Sequence, residues 1–166
     1  MMRRTLLTAV ALGALVAACD TVTEPGVPPG AVALQLEQVP DEVAQYLYSG
    51  VDDRRRLFIK DAAAWTTLWE EVTSHVQPPP PVPAIDFGAE AVIVASMGTR
   101  PSGGYSITIE GVFEADGQLY VAVREISPGS NCVTTAALTA PVHAVRVPRR
   151  TGTVVFVEHT ETRNCG

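Results

Sequence analysis

The chain has 166 residues, enough for one domain with a sizeable core, and it carries 18 Asp and Glu against 12 Lys and Arg, a formal charge of −6. Nucleic-acid binding calls for a basic stripe, which this balance excludes. The three histidines and three cysteines never occur as Cys-x-x-Cys or His-x-x-x-His, spacings that place two ligands on one metal, so neither metal nor cofactor is expected.

In chain order, Arg3 and Arg4 precede an apolar run from Leu6 to Val16, the pattern of an export signal. The run is too short to cross a bilayer, which needs about 20 apolar residues. It closes on Leu15-Val16-Ala17-Ala18-Cys19, which resembles the lipobox of bacterial lipoproteins. The resemblance implies cleavage after Ala18, making residues 1–18 a signal peptide, and acylation of Cys19. Each buried CH₂ contributes about 0.8 kcal/mol, so several chains anchor stably where one holds marginally. The membrane is therefore an expected partner, and the expected location is the cell envelope, exported and membrane-anchored. Asp20 resembles an inner-membrane retention residue of enteric-type sorting, a rule that varies, so the leaflet stays open. Losing Arg3 and Arg4 would leave ten basic residues and a charge of −8.

Residues 19–50 read as the lipidated terminus and a tether, because proline and glycine recur up to about Pro40. A weakly alternating strand in Val32 to Leu36 is the alternative there. A short helical turn is expected over Asp41 to Gly50. The folded domain is placed at residues 51–166. Arg56 to Lys60 reads as its first strand. Asp61 then caps a helix on which Trp65, Leu68, Trp69 and Val72 fall at i, i+3, i+4 and i+7. The helix is expected to end near His75, before the stiff run Pro78 to Pro81 and Pro83.

Beyond the prolines the period changes to two. Ala91 to Met97 is almost continuously apolar and reads as a central strand. Tyr105 to Glu110 and Leu119 to Arg124 alternate on either side of Asp116-Gly117, a tight-turn pair, and so form a hairpin. Val142 to Val147 and Val154 to Glu158 complete the set. The expected fold class is α+β: one amphipathic helix on a mostly antiparallel sheet of about five to six strands. The alternative is a β-sandwich with one helix.

With Cys19 acylated, Cys132 and Cys165 remain, and in an exported protein a disulfide between them is the expected state. Two free thiols or a metal pair are the alternatives. Arg54-Arg55-Arg56 and Arg149-Arg150 read as solvated strand ends that discourage edge pairing. Asp52-Asp53 and Glu70-Glu71 read as solvated faces.

The stretch Gly98-Thr99-Arg100-Pro101-Ser102-Gly103-Gly104-Tyr105 is the most distinctive. Preceded by Trp65-Thr66-Thr67-Leu68-Trp69 and Ile85-Asp86-Phe87, and followed by Pro128 and Thr139-Ala140-Pro141, it resembles the PrcB-like family, the C-terminal domain of protease complex subunit PrcB. The likeness runs from about Phe58 to Val157. Ser102 stands where that family more often has threonine. The resemblance implies a non-catalytic, protein-binding or assembly role, with another envelope or secreted protein as partner, in the founding case a protease.

From the residues alone, Arg100, Ser102, Gly103, Gly104 and Tyr105 form a possible partner-contact loop. Paired glycines permit positive φ and close backbone approach, and Arg100 offers a planar guanidinium to a carboxylate. The simpler reading is a strand-to-strand turn with Tyr105 as a core anchor. A second functional reading is a protease inhibitor presenting residues 98–105. A hydrolase built on Ser102 with His75, His143 or His159 is a third, weakened because Arg-Pro-Ser-Gly-Gly is not a nucleophile elbow. No catalytic residue is assigned, and the chain is not expected to be an enzyme.

Overall fold

The computed structural model describes residues 24–39 and 46–166. The expected signal peptide, Cys19 and part of the expected 41–50 turn lie outside them. Among the described residues no helix is long and apolar enough to cross a membrane. In order come β1 (Val32–Ala33), β2 (Glu37–Gln38), β3 (Arg54–Ile59), α1 (Ala62–Val72), β4 (Glu90–Met97), β5 (Ser106–Ala115), β6 (Gln118–Pro128), β7 (Val142–Pro148) and β8 (Val154–Arg163).

The class is α+β with one helix among the described residues, but the strands divide between two sheets of four instead of one of five to six. Their orders are β1-β5-β6-β8 and β2-β7-β4-β3. The β6–β8 pairing is parallel and the other five are antiparallel. The physical reason lies in β4, which is buried on both faces. Ala91, Ile93, Ala95 and Met97 point into a core between the sheets, opposite Ile107, Ile109, Leu119, Val121 and Val123 of the hairpin. Val92 and Val94 point the other way, onto the helix. A strand with two apolar faces needs a cover on each. One cover is a second sheet and the other is α1, giving three layers.

Helix α1 starts where expected. The Asp61 side chain accepts the Ala64 N–H at 2.9 Å, satisfying one orphan donor of the first turn. It ends at Val72, earlier than the expected neighbourhood of His75. Trp65, Leu68, Trp69 and Val72 are its buried stripe. The indole N–H groups of Trp65 and Trp69 donate to the carbonyls of Pro83 and Pro80, at 3.0 and 3.3 Å. The proline run cannot donate, yet its carbonyls satisfy both buried indoles. The hairpin turns on Asp116 and Gly117, at φ 50° and 75°, the left-handed pair that its twist requires.

A sandwich has two open flanks, and each is closed differently here. On one flank, inside the stretch expected as a tether, β1 pairs with β5 and β2 pairs with β7. Leu34 and Leu36 lean on the inter-sheet core between them. On the other flank the arginines of β3 cross to the opposite sheet. Arg56 bonds Glu158 at 2.7 and 2.9 Å and also bonds Glu125; Arg54 reaches Glu125 and Glu158, both at 2.9 Å. The side chains of Arg56 and Glu125 are each only 10% exposed. Burial pushes the Glu158 carboxyl up, but the Arg56 hydrogen bonds and the charges of Arg56 and Arg54 outweigh it, leaving it below the usual carboxylate range.

Arg55 points the other way and meets Glu71 of α1 through two 2.7 Å bonds, a bidentate pair. Arg150 reaches Glu114 of β5 at 2.8 Å, and Arg149 donates to the Lys60 carbonyl at 3.0 Å and to that of Phe87. Arg54 and Arg149 are exposed, as expected, but both clusters are tied to partners within the fold instead of standing as free strand ends. Alternation on β3 sends successive guanidinium groups to different layers, where carboxylates await.

Candidate protein-contact site at the loop end of the sandwich

The loop from Gly98 to Tyr105 leaves β4 and enters β5, and it folds against a second loop that joins β6 to β7. Arg100 and Thr139 exchange two backbone bonds, at 2.6 and 3.0 Å. The Gly103 N–H donates to the Thr135 carbonyl at 3.0 Å, and the Thr139 hydroxyl donates to the Ser102 carbonyl at 2.8 Å. The sequence accounts for this closeness. A Cβ on Gly103 would sit 2.4 Å from the Thr135 hydroxyl oxygen, so any larger residue would have to push that side chain aside. Gly104 takes φ 88°, with Pro128 at 3.1 Å from where a Cβ would lie, a conformation that disfavours any L side chain.

Arg100 is oriented differently from the outward-facing group expected. Its guanidinium donates to the Met97 carbonyl at 2.6 Å and lies 5.9 Å from the Tyr105 ring centre. Among the described residues its Nε is buried without a hydrogen-bond partner. The curl of the loop brings a strand-end carbonyl and an aromatic face within reach, so the cation serves its own chain. Tyr105 packs against the inter-sheet core, as an anchor.

Among the described residues no hydrogen bond joins Ser102 to a histidine. The Ser102 hydroxyl donates to the Gly103 carbonyl at 3.1 Å. His143 lies between the sheets, 2% exposed, and its Nδ1 accepts the Ile109 N–H at 3.0 Å. That amide stands at a register shift between Ile109 and Gly111, where the bulge frees it from the ladder. The backbone donor fixes the tautomer, leaving the ring proton on Nε2. Burial pushes the His143 pKa down to about 4, so the ring is neutral at physiological pH. His159 is on β8, and its buried Nε2 has no hydrogen-bond partner among the described residues.

Next to the loop is a cleft of about 370 Å³ lined by Tyr48, Asp52, His75, Thr99 and Leu138, among others. The Thr99 hydroxyl donates to Asp52 at 2.7 Å, so Asp52 fastens the loop instead of facing bulk water alone. The Ser49 hydroxyl donates to the Ala140 carbonyl at 2.6 Å. Leu138 and Tyr48 are 69% and 59% exposed, and Val133 is exposed throughout. Sequence reasoning missed these three. A single apolar residue in a stretch without periodicity gives no signal of which way it points.

The second loop is held at its base. Cys132 and Cys165 form a disulfide with Cα atoms 5.0 Å apart. The Asn131 side chain bonds the backbone of Cys165 on both sides, accepting its N–H at 3.2 Å. The loop end therefore presents apolar groups from a covalently tied frame. Among the described residues no group of three His, Cys, Asp or Glu is arranged to hold a metal ion.

No curated protein and no solved structure matches the chain. The stretch of family likeness is shorter than the 58–157 expected, leaving out α1, β3 and β8. Residues 91–148, running from β4 through the distinctive loop and the hairpin to β7, match the family model described as PrcB C-terminal.

Proposed function

We propose that the chain is a lipid-anchored envelope protein, acylated at Cys19, whose domain binds another protein as a non-catalytic accessory subunit of a secreted protease complex. The observation that carries this reading is the PrcB C-terminal match over residues 91–148, the span that builds the loop end. The exposed side chains of Leu138, Tyr48 and Val133 supply the apolar contact that a partner would cover. The inhibitor reading is disfavoured, because the amides of Arg100 and Gly103 already bond Thr139 and Thr135 and are not free to hold a protease.

The test is crosslinking in native cells with Tyr48 and Leu138 as the varied positions. A specific partner, reduced in yield by Leu138→Asp and Tyr48→Ala together, and released from membranes by Cys19→Ser, is the expected result. A protein found inside the cell with its leader intact and no added acyl mass overturns the anchoring. A partner whose capture ignores both substitutions overturns the loop end as the contact.

A further inference from the structure

β3 ends its sheet, and among the described residues nothing pairs with its outer side. The groups left open there can be assigned. The Met97 N–H donates toward β7, to the Pro141 carbonyl, so alternation turns Ser96, Val94 and Val92 toward β3. Their partners Arg55, Leu57 and Ile59 face inward, and Arg54, Arg56 and Phe58 present N–H and C=O to the open edge. Natural proteins usually blunt such an edge with charged side chains, proline or a bulge. Here the register of β3 is unbroken, and its arginines are drawn away to Glu125, Glu158 and Glu71.

The same edge borders a groove of about 700 Å³ between β3 and the flank of α1. Leu57, Ile59 and Leu68 make its floor, and Ala64 and Thr67, both small, leave its far wall low. At the Ile59 end stands Lys60, whose ammonium lies 4.6 Å from the Phe58 ring centre and forms no ion pair among the described residues. At the other end Arg55 and Glu71 neutralise each other.

We infer that this groove takes an extended peptide segment of a partner protein, added as a fifth strand antiparallel or parallel to β3. One apolar side chain of the segment enters over Leu57 and Ile59, and an acidic residue meets Lys60. Main-chain bonds to Arg54, Arg56 and Phe58 provide affinity without regard to sequence, and the groove and the lysine provide selectivity. The inference rests on the protein-binding reading but uses a different surface from the loop end.

The experiment selects a displayed library of random linear peptides on the intact chain, then measures the enriched peptide against variants. Thr67→Trp and Ala64→Trp fill the groove from exposed helix positions. We expect enriched peptides to alternate apolar and polar residues with one acid, and to bind at least about tenfold more weakly to either variant. Lys60→Glu should remove the preference for the acid. On binding, amide exchange should slow at Arg54, Arg56 and Phe58 while Arg55, Leu57 and Ile59 stay unchanged, a period-two signature that side-chain contact alone does not produce. Failure to enrich any peptide overturns the inference, as does binding that ignores both tryptophans. A peptide lost on Leu138→Asp but kept by Thr67→Trp also overturns it, while leaving the protein-binding reading in place.

Discussion

Protonating His143 should unfasten the two sheets, and the size of the effect follows from where the ring sits. The unfolded chain titrates this histidine near 6.5, whereas burial lowers it to about 4 in the fold. Between those values the unfolded state binds the proton and the native state does not. Stability from this group is therefore complete above about pH 7 and falls as pH drops through 6.5, levelling below about 4. One pH unit of such a gap is worth about 1.4 kcal/mol, so the full effect is ~3 kcal/mol. Part of it is the acceptor role, since a protonated Nδ1 repels the Ile109 N–H that it now receives. The control is His143→Asn, which keeps an oxygen acceptor near the same place and cannot titrate. Urea unfolding of both proteins across this range isolates the histidine, because every carboxylate is common to the two. A wild-type stability that tracks the variant in parallel at all pH values would refute the reasoning.

Three further outcomes follow from the same geometry. Arg56→Ala strands the nearly buried Glu125 with only the half-exposed Arg54, and should cost ~3 kcal/mol or more, against less than about 1 kcal/mol for a comparable exposed pair such as Arg124–Glu161; equal losses in urea unfolding would count against the clasp. Reducing the Cys132–Cys165 bridge, which spans 33 positions, should remove ~3–4 kcal/mol by the chain-entropy argument; an unchanged Tm with reduction confirmed by mass would contradict this. Gly104→Ala should cost ~1–2 kcal/mol for its backbone conformation, plus whatever Pro128 resists, whereas Gly30→Ala, with open space around it, should show the conformational part alone in the same thermal scans.

The sequence made some of this fold plain and hid the rest for physical reasons. β4 was legible as central because Ala91 to Met97 is almost continuously apolar, and the hairpin because Asp116-Gly117 demands positive φ. Helix α1 announced itself through the spacing of Trp65, Leu68, Trp69 and Val72. By contrast, β1 and β2 are two residues each and owe their existence to distant partners on β5 and β7, which no local pattern records. Nor does alternation in Val154 to Arg163 say that the strand runs parallel to β6. The arginines were misjudged because a charge on a strand does not name its carboxylate. Arg54 finds Glu125 71 residues away. At the candidate site, the position of the loop and its glycines was readable, while the inward turn of Arg100 depends on where Met97 ends its strand.

The pairing of β1 and β2 would shorten the reach of a domain anchored at Cys19. Gly26 already lies against Val157 of β8. With an anchor at Cys19, only seven peptide units separate the lipid from the fold, a contour of at most about 25 Å at ~3.6 Å per residue. A slack leader reaching to residue 51 would have allowed about 115 Å by the same measure. So short a leash would keep an anchored domain close to the bilayer with its β8 side nearest, and whatever it gripped would have to come down to the membrane to be held.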